Sequence, residues 1–352
     1  MYPVTSGVGT KGETDALDTL LAPVDKNSFQ SALRRLYTQF DIFASTCPAP
    51  FPAPGLIITP EIRTQCERYL PMADIAAVFN HLYAAALTYP PILSSTPFHN
   101  AISWADCFAA LPGEFQFSAN PARLLESVLS DRCLLARFLF ASFLPGRFYG
   151  GIGRYPGQRQ FVREWLTTRT GGILHCLDAA CGTGEDTYGL ALLLADQGFP
   201  PEQIWLDGWT VEPLEVWTAT HRRFPHDQRR ELLFREETRA LFEQGFQKCI
   251  RFSCVDLAEA PLYPPLPQRG EHFDLIICNG LLGGPIINGK EQLERTVGNL
   301  ADLLAQGGIL LAADNFHGGW KQKYPQAKLQ ALFQNAGLAT FEAGEGVGGL
   351  KQ

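Results

Sequence analysis

The stretch Ile173-Leu-His-Cys-Leu-Asp-Ala-Ala-Cys-Gly-Thr-Gly-Glu-Asp-Thr-Tyr188 decides the reading of this chain. It runs from an apolar strand into the turn Gly182-Thr183-Gly184 and then into a helix that opens with Glu185 and Asp186. A strand that ends in a glycine turn lets backbone come close to a ligand, because glycine has no Cβ and tolerates positive φ. A dinucleotide fingerprint would place a third glycine where Thr187 stands, which weighs against a nicotinamide-dependent oxidoreductase. A phosphate cradle would place a lysine after the glycines, and none is there. The two acids would repel a pyrophosphate and suit a ligand that carries an amine and a sulfonium.

Working outward, short apolar runs predict strands at about 173–179, 204–211, 250–255, 273–278 and 308–314, with a final short one at 338–342. Helices are predicted between them, at about 185–197, 213–223, 227–245, 290–305 and 325–335. Alternating strand and helix implies an α/β fold, a parallel sheet with helices on both faces. Ligands of such sheets bind beyond the carboxyl ends of the strands.

Each predicted strand carries something at that end. The first carries Asp178, Ala179, Ala180 and the glycine turn. The second ends at Glu212, an acid placed to accept from a ribose diol or to cap the next helix. The third ends at Asp256 and Leu257, suited to an adenine amino group and its ring or to capping a turn. The fourth ends at Asn279 and Gly280, beside the place for a reactive methyl, and the fifth at Asp314, with His317 close behind. One nucleoside-bearing, cationic ligand explains the three acids and the glycine turn together.

The chain has 352 residues, long for one domain. Residues 28–46 show helical periodicity through Phe29, Leu33, Leu36, Phe40 and Phe43. Residues 61–89 read as helix broken near Pro71, and 121–143 as another, with Asn120 as N-cap and Pro121 in the first turn. The expected organisation is a disordered N-terminus over 1–26, a helical domain over 27–145 and the α/β domain over 146–352. The helical domain is expected to cover the site and select the acceptor, with Phe140, Phe143, Phe148 and Tyr149 in its core and interface.

Net charge is −7, which argues against a nucleic acid held on a broad basic surface. No Cys-x-x-Cys pair occurs among the nine cysteines, so neither zinc nor a redox dithiol is signalled. Cys176, Cys254 and Cys278 lie in apolar runs and read as small core residues. No 18-residue apolar run and no signal core are visible, so a cytoplasmic protein without membrane insertion is expected.

With these residues in hand, the glycine-turn segment resembles motif I of the class I S-adenosylmethionine (SAM) methyltransferases. The match narrows further. Ala179-Ala-Cys-Gly-Thr-Gly-Glu-Asp-Thr-Tyr-Gly-Leu-Ala191 resembles the run AACSTGEEPYSLA of the chemotaxis-receptor glutamate methyltransferases, the CheR family. Ile250-Arg-Phe-Ser-Cys-Val-Asp-Leu257 is similar to that family's V-x-F-x-x-x-N-L, and Phe273-Asp-Leu-Ile-Ile-Cys-Asn-Gly-Leu281 to its FD-x-I-x-CRNV. The long insert 224–248 and the preceding helical region are also similar; the resemblance covers about 146–320.

The resemblance implies a Rossmann-like methyltransferase sheet behind a helical N-terminal domain, with SAM as cofactor. It implies that Glu185 contacts the SAM amino-acid moiety. Arg154, in Gly151-Ile-Gly-Arg154-Tyr, takes the place of the arginine of T-x-F-F-R that binds the SAM carboxylate. Asp256 stands where the family often has Asn. Gly280-Leu-Leu-Gly-Gly-Pro285 replaces the segment that carries the family's active-site tyrosine. The acceptor implied is a protein side chain, with a carboxylate possible, or a small molecule. A carboxylate nucleophile needs no base, whereas an amine or hydroxyl gains from one; His317, Asp314, Tyr149 and Tyr155 are the candidates, His317 and Tyr149 foremost. The rival reading is a SAM-binding sensor or partner module without transfer activity.

Overall fold

The structure, a computed structural model, describes residues 16–144, 151–169, 171–259, 272–284, 286–314 and 324–352. These fall into two units, one of residues 16–144 with Phe224–Gln228 and the other of the remaining described residues. Among the described residues, no helix is long and apolar enough to cross a membrane.

The first unit is helical: α1 (16–20), α2 (Gln30–Thr46), α3 (Pro60–Tyr69), α4 (Met72–Ala86), α5 (Pro97–Asn100), α6 (Trp104–Ala110), α7 (Pro121–Ser130) and α8 (Arg132–Phe143). Its core forms where apolar side chains recur at helical spacing. On α4 these are Ile75, Phe79, Leu82, Tyr83 and Ala86, of which Phe79 and Tyr83 meet Phe98 and Phe138 ring to ring. The one polar atom of Tyr83 is satisfied: its hydroxyl donates to Ser142 Oγ at 2.9 Å. Phe140 and Phe143 are buried, as expected of core aromatics.

Two expectations fail in this unit, each for a local reason. Residues 121–143 are not one helix. Asp131 takes an extended backbone, and its Oδ1 accepts from the amides of Cys133 and Leu134 at 2.8 and 3.2 Å, so one helix ends and the next is capped at a single residue. Residues 16–26, placed in the disordered stretch, contain α1, and Leu21 bridges Leu87 because Leu20 and Leu21 find burial there.

The second unit carries α9 (Pro156–Leu166), β1 (Leu174–Asp178), α10 (Glu185–Asp196), β2 (Ile204–Thr210), α11 (Pro213–His221), α12 (Gln228–Glu237), α13 (Arg239–Glu243), β3 (Ile250–Cys254), β4 (Phe273–Ile277), α14 (Lys290–Asp302), β5 (Leu304–Ala313), α15 (Gln326–Asn335), β6 (Leu338–Ala343) and β7 (Gly346–Lys351). The sheet order is β3-β2-β1-β4-β5-β7-β6. Five strands are parallel, and β7 runs antiparallel to both β5 and β6. The predicted all-parallel sheet is therefore mixed, a Rossmann-like α/β sheet with one reversed strand.

β7 is the strand that pattern reading missed. Gly346-Val-Gly-Gly-Leu-Lys351 has three glycines where β-branched residues are expected. The structure explains them: a Cβ at Gly346 would lie 2.0 Å from the Ala312 carbonyl oxygen, and one at Gly348 would lie 2.1 Å from the Phe341 ring. The predicted helix 227–245 also breaks, at Thr238, whose buried hydroxyl bonds back to the Phe234 carbonyl at 2.7 Å. Cys176 and Cys278 are buried as small core residues, and Cys254 is half-buried.

Candidate functional site

The order of the sheet reverses between β1 and β4: α10 leads outward to β2 and then β3, while the chain returns to β4 on the other side of β1. A crevice outside the carboxyl ends at such a reversal is where ligands of these sheets bind. The glycine turn hangs in it. The Ala179 amide donates to the Ile277 carbonyl at 2.7 Å and the Cys181 amide to the Trp209 carbonyl at 2.9 Å, so the turn is held by β4 on one side and β2 on the other. Gly182 and Gly184 have φ of +51° and +92°. A Cβ on Gly184 would lie 3.1 Å from Ala219 Cβ and 3.2 Å from the Phe252 ring. Gly184 caps α10, whose first turn holds Glu185 and Asp186.

Glu185 faces the β2 side. Arg230, from the insert helix α12, forms an ion pair with it, and both side chains are about nine-tenths buried. Thr183 Oγ1 donates to Glu185 at 2.6 Å and accepts from Arg230 at 2.9 Å, closing a three-membered cluster. Next to it lies Glu215, from the first turn of α11, bonded to the Thr210 hydroxyl. Burial pushes the Glu215 carboxyl up to about 7, and the charges of Glu212 and Glu185 push the same way, while Thr210 and Arg230 oppose them. Glu212 is buried and caps α11, its Oε1 accepting from the Leu214 amide at 3.1 Å.

Asp186 faces the β4 side. Arg154 clamps it through Nη2 at 2.8 Å and Nε at 3.2 Å. Asn279 Nδ2 donates to Asp186 at 3.3 Å and to Gln158 Oε1 at 2.8 Å, and Gln158 Nε2 returns a bond to Asn279 Oδ1 at 3.0 Å. That oxygen also accepts from the Ala313 amide at 2.9 Å, joining the end of β4 to the end of β5. Asn279 and Gln158 are both buried. Gly280, at φ +72°, then turns the chain away.

The other sequence-predicted residues are placed differently. Asp178 is buried under the turn, where Thr187 Oγ1 donates to it at 2.7 Å and the Ala180 amide at 3.4 Å. Burial, and then the charge of Asp186, raises its carboxyl well above the ordinary range. It braces the turn against α10. Asp256 is exposed and caps its own turn, accepting from the Ala258 amide at 2.9 Å. Leu257 belongs to the core cluster that includes Trp209, Phe273 and Leu300. Arg154 joins the Asp186 cluster rather than Glu185. His317 and Tyr149 lie outside the described residues. Asp314 lines a cavity of about 260 Å³ with Leu282, Tyr324, Leu329, Glu345 and Val347.

Reading the sequence missed Gln158, Arg230 and Glu215, which complete these clusters, and Glu345, whose carboxylate accepts from the Gly157 and Gln158 amides at 2.8 Å. Gln158 and Glu345 carry no local signal. Arg230 stands in a basic run, Arg229-Arg230, that gives no hint of a buried partner 45 positions away.

No family model matches the chain. A chemotaxis protein methyltransferase of Listeria innocua serovar 6a is 30% identical over 201 residues, which span 54% of this chain and 71% of that one. The biofilm formation methyltransferase WspC of Pseudomonas putida, so named as probable, is 30% identical over 113 residues, 31% of this chain and 27% of its own. Among solved structures, the N-methyltransferase NodS from Bradyrhizobium japonicum WM9, in complex with S-adenosyl-L-homocysteine, aligns with a TM-score of 0.37 at 16% identity, covering 62% of this chain and 96% of that one. That score is too low to carry weight, and the fold rests on the sheet order itself. The extent of the Listeria match and the motif at the glycine turn agree: the chain belongs to the chemotaxis protein methyltransferase family and is a SAM-dependent methyltransferase.

Proposed function

We propose that this protein transfers a methyl group from SAM to a carboxylate side chain of an acceptor protein, forming a methyl ester. The observation that carries the site is the crowding of acids at the ends of β1 and β2. Burial drives the Glu215 carboxyl up to about 7, and repulsion from Glu212 and Glu185 adds to it. A cationic ligand relieves that repulsion, and SAM brings two cations, an ammonium and a sulfonium. Gly182 and Gly184 in the turn give its backbone close access. The residues therefore fit the cofactor.

In this reading Glu185 takes the ammonium and Glu212 the ribose hydroxyls, while Asp256 takes the adenine amino group. Gly182 and Gly184 line the amino-acid end with backbone. Arg154 and Arg230, each bonded to an acid of the first turn of α10, supply the positive charge for the carboxylate. Leu257 supports the adenine end from the core, and Asp178, Ala179 and Ala180 hold the turn in shape. Asn279 and Gly280 end β4 beside the reacting methyl. Bound SAM supplies an electrophilic methyl carbon on a sulfonium, which leaves as a neutral thioether. An ionised carboxylate attacks such a carbon without giving up a proton, so the protein's task is alignment. The names of the Listeria relatives, as chemotaxis protein methyltransferases, support a protein acceptor.

The test is to incubate the protein with methyl-labelled SAM and a lysate of its source cells, then treat labelled protein with mild base. Label released as methanol from protein is expected. Label confined to small molecules overturns the protein acceptor, and SAM binding without transfer to any pool overturns the enzyme in favour of a sensor.

A further inference from the structure

We infer that Glu345 is a positioning residue of the transfer site, setting Asn279 through Gln158; this rests on the reading of the strand ends just given. Helix α9 starts at Pro156 behind Tyr155, whose side chain makes no capping bond. Its first free amides would be orphaned. Glu345, at the tip of the β6–β7 hairpin, takes both: the Gly157 amide donates to Oε1 and the Gln158 amide to Oε2, each at 2.8 Å. Burial works to raise this carboxyl, and the amide donors outweigh it, so the group sits below the ordinary carboxylate range. It is a cap supplied from 187 residues away in the chain.

The flanking glycines show that this contact is built into the fold. Gly344 has a φ of +59°, and a Cβ there would lie 2.2 Å from the Gln158 amide nitrogen and 2.2 Å from the Gly157 carbonyl carbon. A Cβ on Gly157 would lie 3.0 Å from Gly344 Cα and 3.0 Å from Glu345 Oε2. Only bare backbone on both sides allows the hairpin tip to reach the helix.

The capped residue is also the one that holds the site. Gln158 and Asn279 exchange two side-chain bonds, and Asn279 reaches both Asp186 and the Ala313 amide. Ala313 is in turn the register partner of Gly346, one residue past Glu345. A ring of contacts thus runs from the hairpin tip through the start of α9 and the end of β4 to the end of β5 and back. Loss of Glu345 opens this ring at the hairpin tip, frees two amides and lets Gln158 shift, so Asn279 loses its fixed orientation.

The experiment compares wild type, Glu345→Ala, Glu345→Gln, Asn279→Ala and the double variant Glu345→Ala/Asn279→Ala. It measures SAM affinity by calorimetry and melting temperature for each. Glu345→Ala is expected to weaken SAM by about tenfold, because Asn279 is no longer held in one orientation beside the cofactor. Glu345→Gln, which keeps one acceptor, should fall between it and wild type. On the Asn279→Ala background, Glu345→Ala should add nothing. Losses of SAM affinity that multiply, as independent residues predict, or a lowered melting temperature with unchanged SAM affinity, as a purely structural cap predicts, overturn the inference. A wild type that binds no SAM defeats the site reading itself; a wild type that binds it as well as Glu345→Ala does defeats only the role of Glu345.

Discussion

Glu185 and Asp186 are neighbours in the chain, yet the fold sends them into different company. One helical step turns them about 100° apart, so one faces β2 and the other β4. The Glu185 side is a cluster of like charges, with Glu212 and Glu215 nearby and Arg230 and Thr183 as counterweights. The Asp186 side is a closed hydrogen-bond network with every named partner matched: Arg154, Asn279 and Gln158. The first arrangement stores repulsion that a cation relieves. The second is already satisfied and serves as a fixed wall. Binding energy and geometry are thus divided between two consecutive carboxylates.

Asp186→Asn should break the wall and give the largest effect. It leaves Arg154, four-fifths buried, facing an amide in place of its counter-charge. Breaking such a pair costs about 2–3 kcal/mol of stability, read as a lowered denaturation midpoint, and transfer should fall by about 100-fold. If kcat is unchanged while stability falls, the network does not orient the reaction. Glu185→Gln should act differently, raising the KM for SAM by about tenfold while kcat changes little, since it removes a charge contact made equally before and during transfer. Equal effects of the two substitutions on kcat would erase the distinction between the two sides.

The smallest expected effect is a pH dependence to which Glu215, on the Glu185 side, and Asp178, under the turn, both contribute. The folded protein holds the Glu215 carboxyl at about 7, well above its ordinary value, so between roughly pH 4 and 7 the native state binds more protons than the unfolded one. Stability of the ligand-free protein should therefore fall as pH rises through that window. SAM affinity should rise through it, with proton release on binding. Glu215→Gln should reduce both slopes, with Asp178 leaving a remainder, measured by thermal melts and calorimetry in buffers of different ionisation enthalpy. Unchanged slopes would mean that Glu215 does not feel the ligand.

How much of this was legible in the sequence follows from range. The strands β1 to β4 announce themselves because each is a short, mostly apolar run with a polar residue, Asp178, Glu212, Asp256 or Asn279, at or just past its carboxyl end, and the glycine turn announces the crevice. Asp178, Glu185, Glu212 and Asn279 could be placed at strand ends from one dimension alone. β7 could not, because its glycines are dictated by the backbone of β5 and the ring of Phe341, neither of which is local. The break at Asp131 was legible in principle, since an aspartate inside an apolar helix pattern is a capping residue in waiting. Partners were the hidden part. Arg154 was read as a ligand for the cofactor, but nothing in its neighbourhood foretold Asp186 as its partner, and Glu345 reaches a helix from the far end of the chain.

The central claim is that SAM lies across the ends of β1, β2 and β3, with its cations on the Glu185 side. Photo-crosslinking with methyl-labelled SAM, followed by peptide mapping, tests it most directly. The account predicts label on the peptides that hold Gly182–Asp186, Glu212 and Asp256, competed away by S-adenosylhomocysteine and reduced in Glu185→Gln. Competable label that maps away from these strand ends would contradict it.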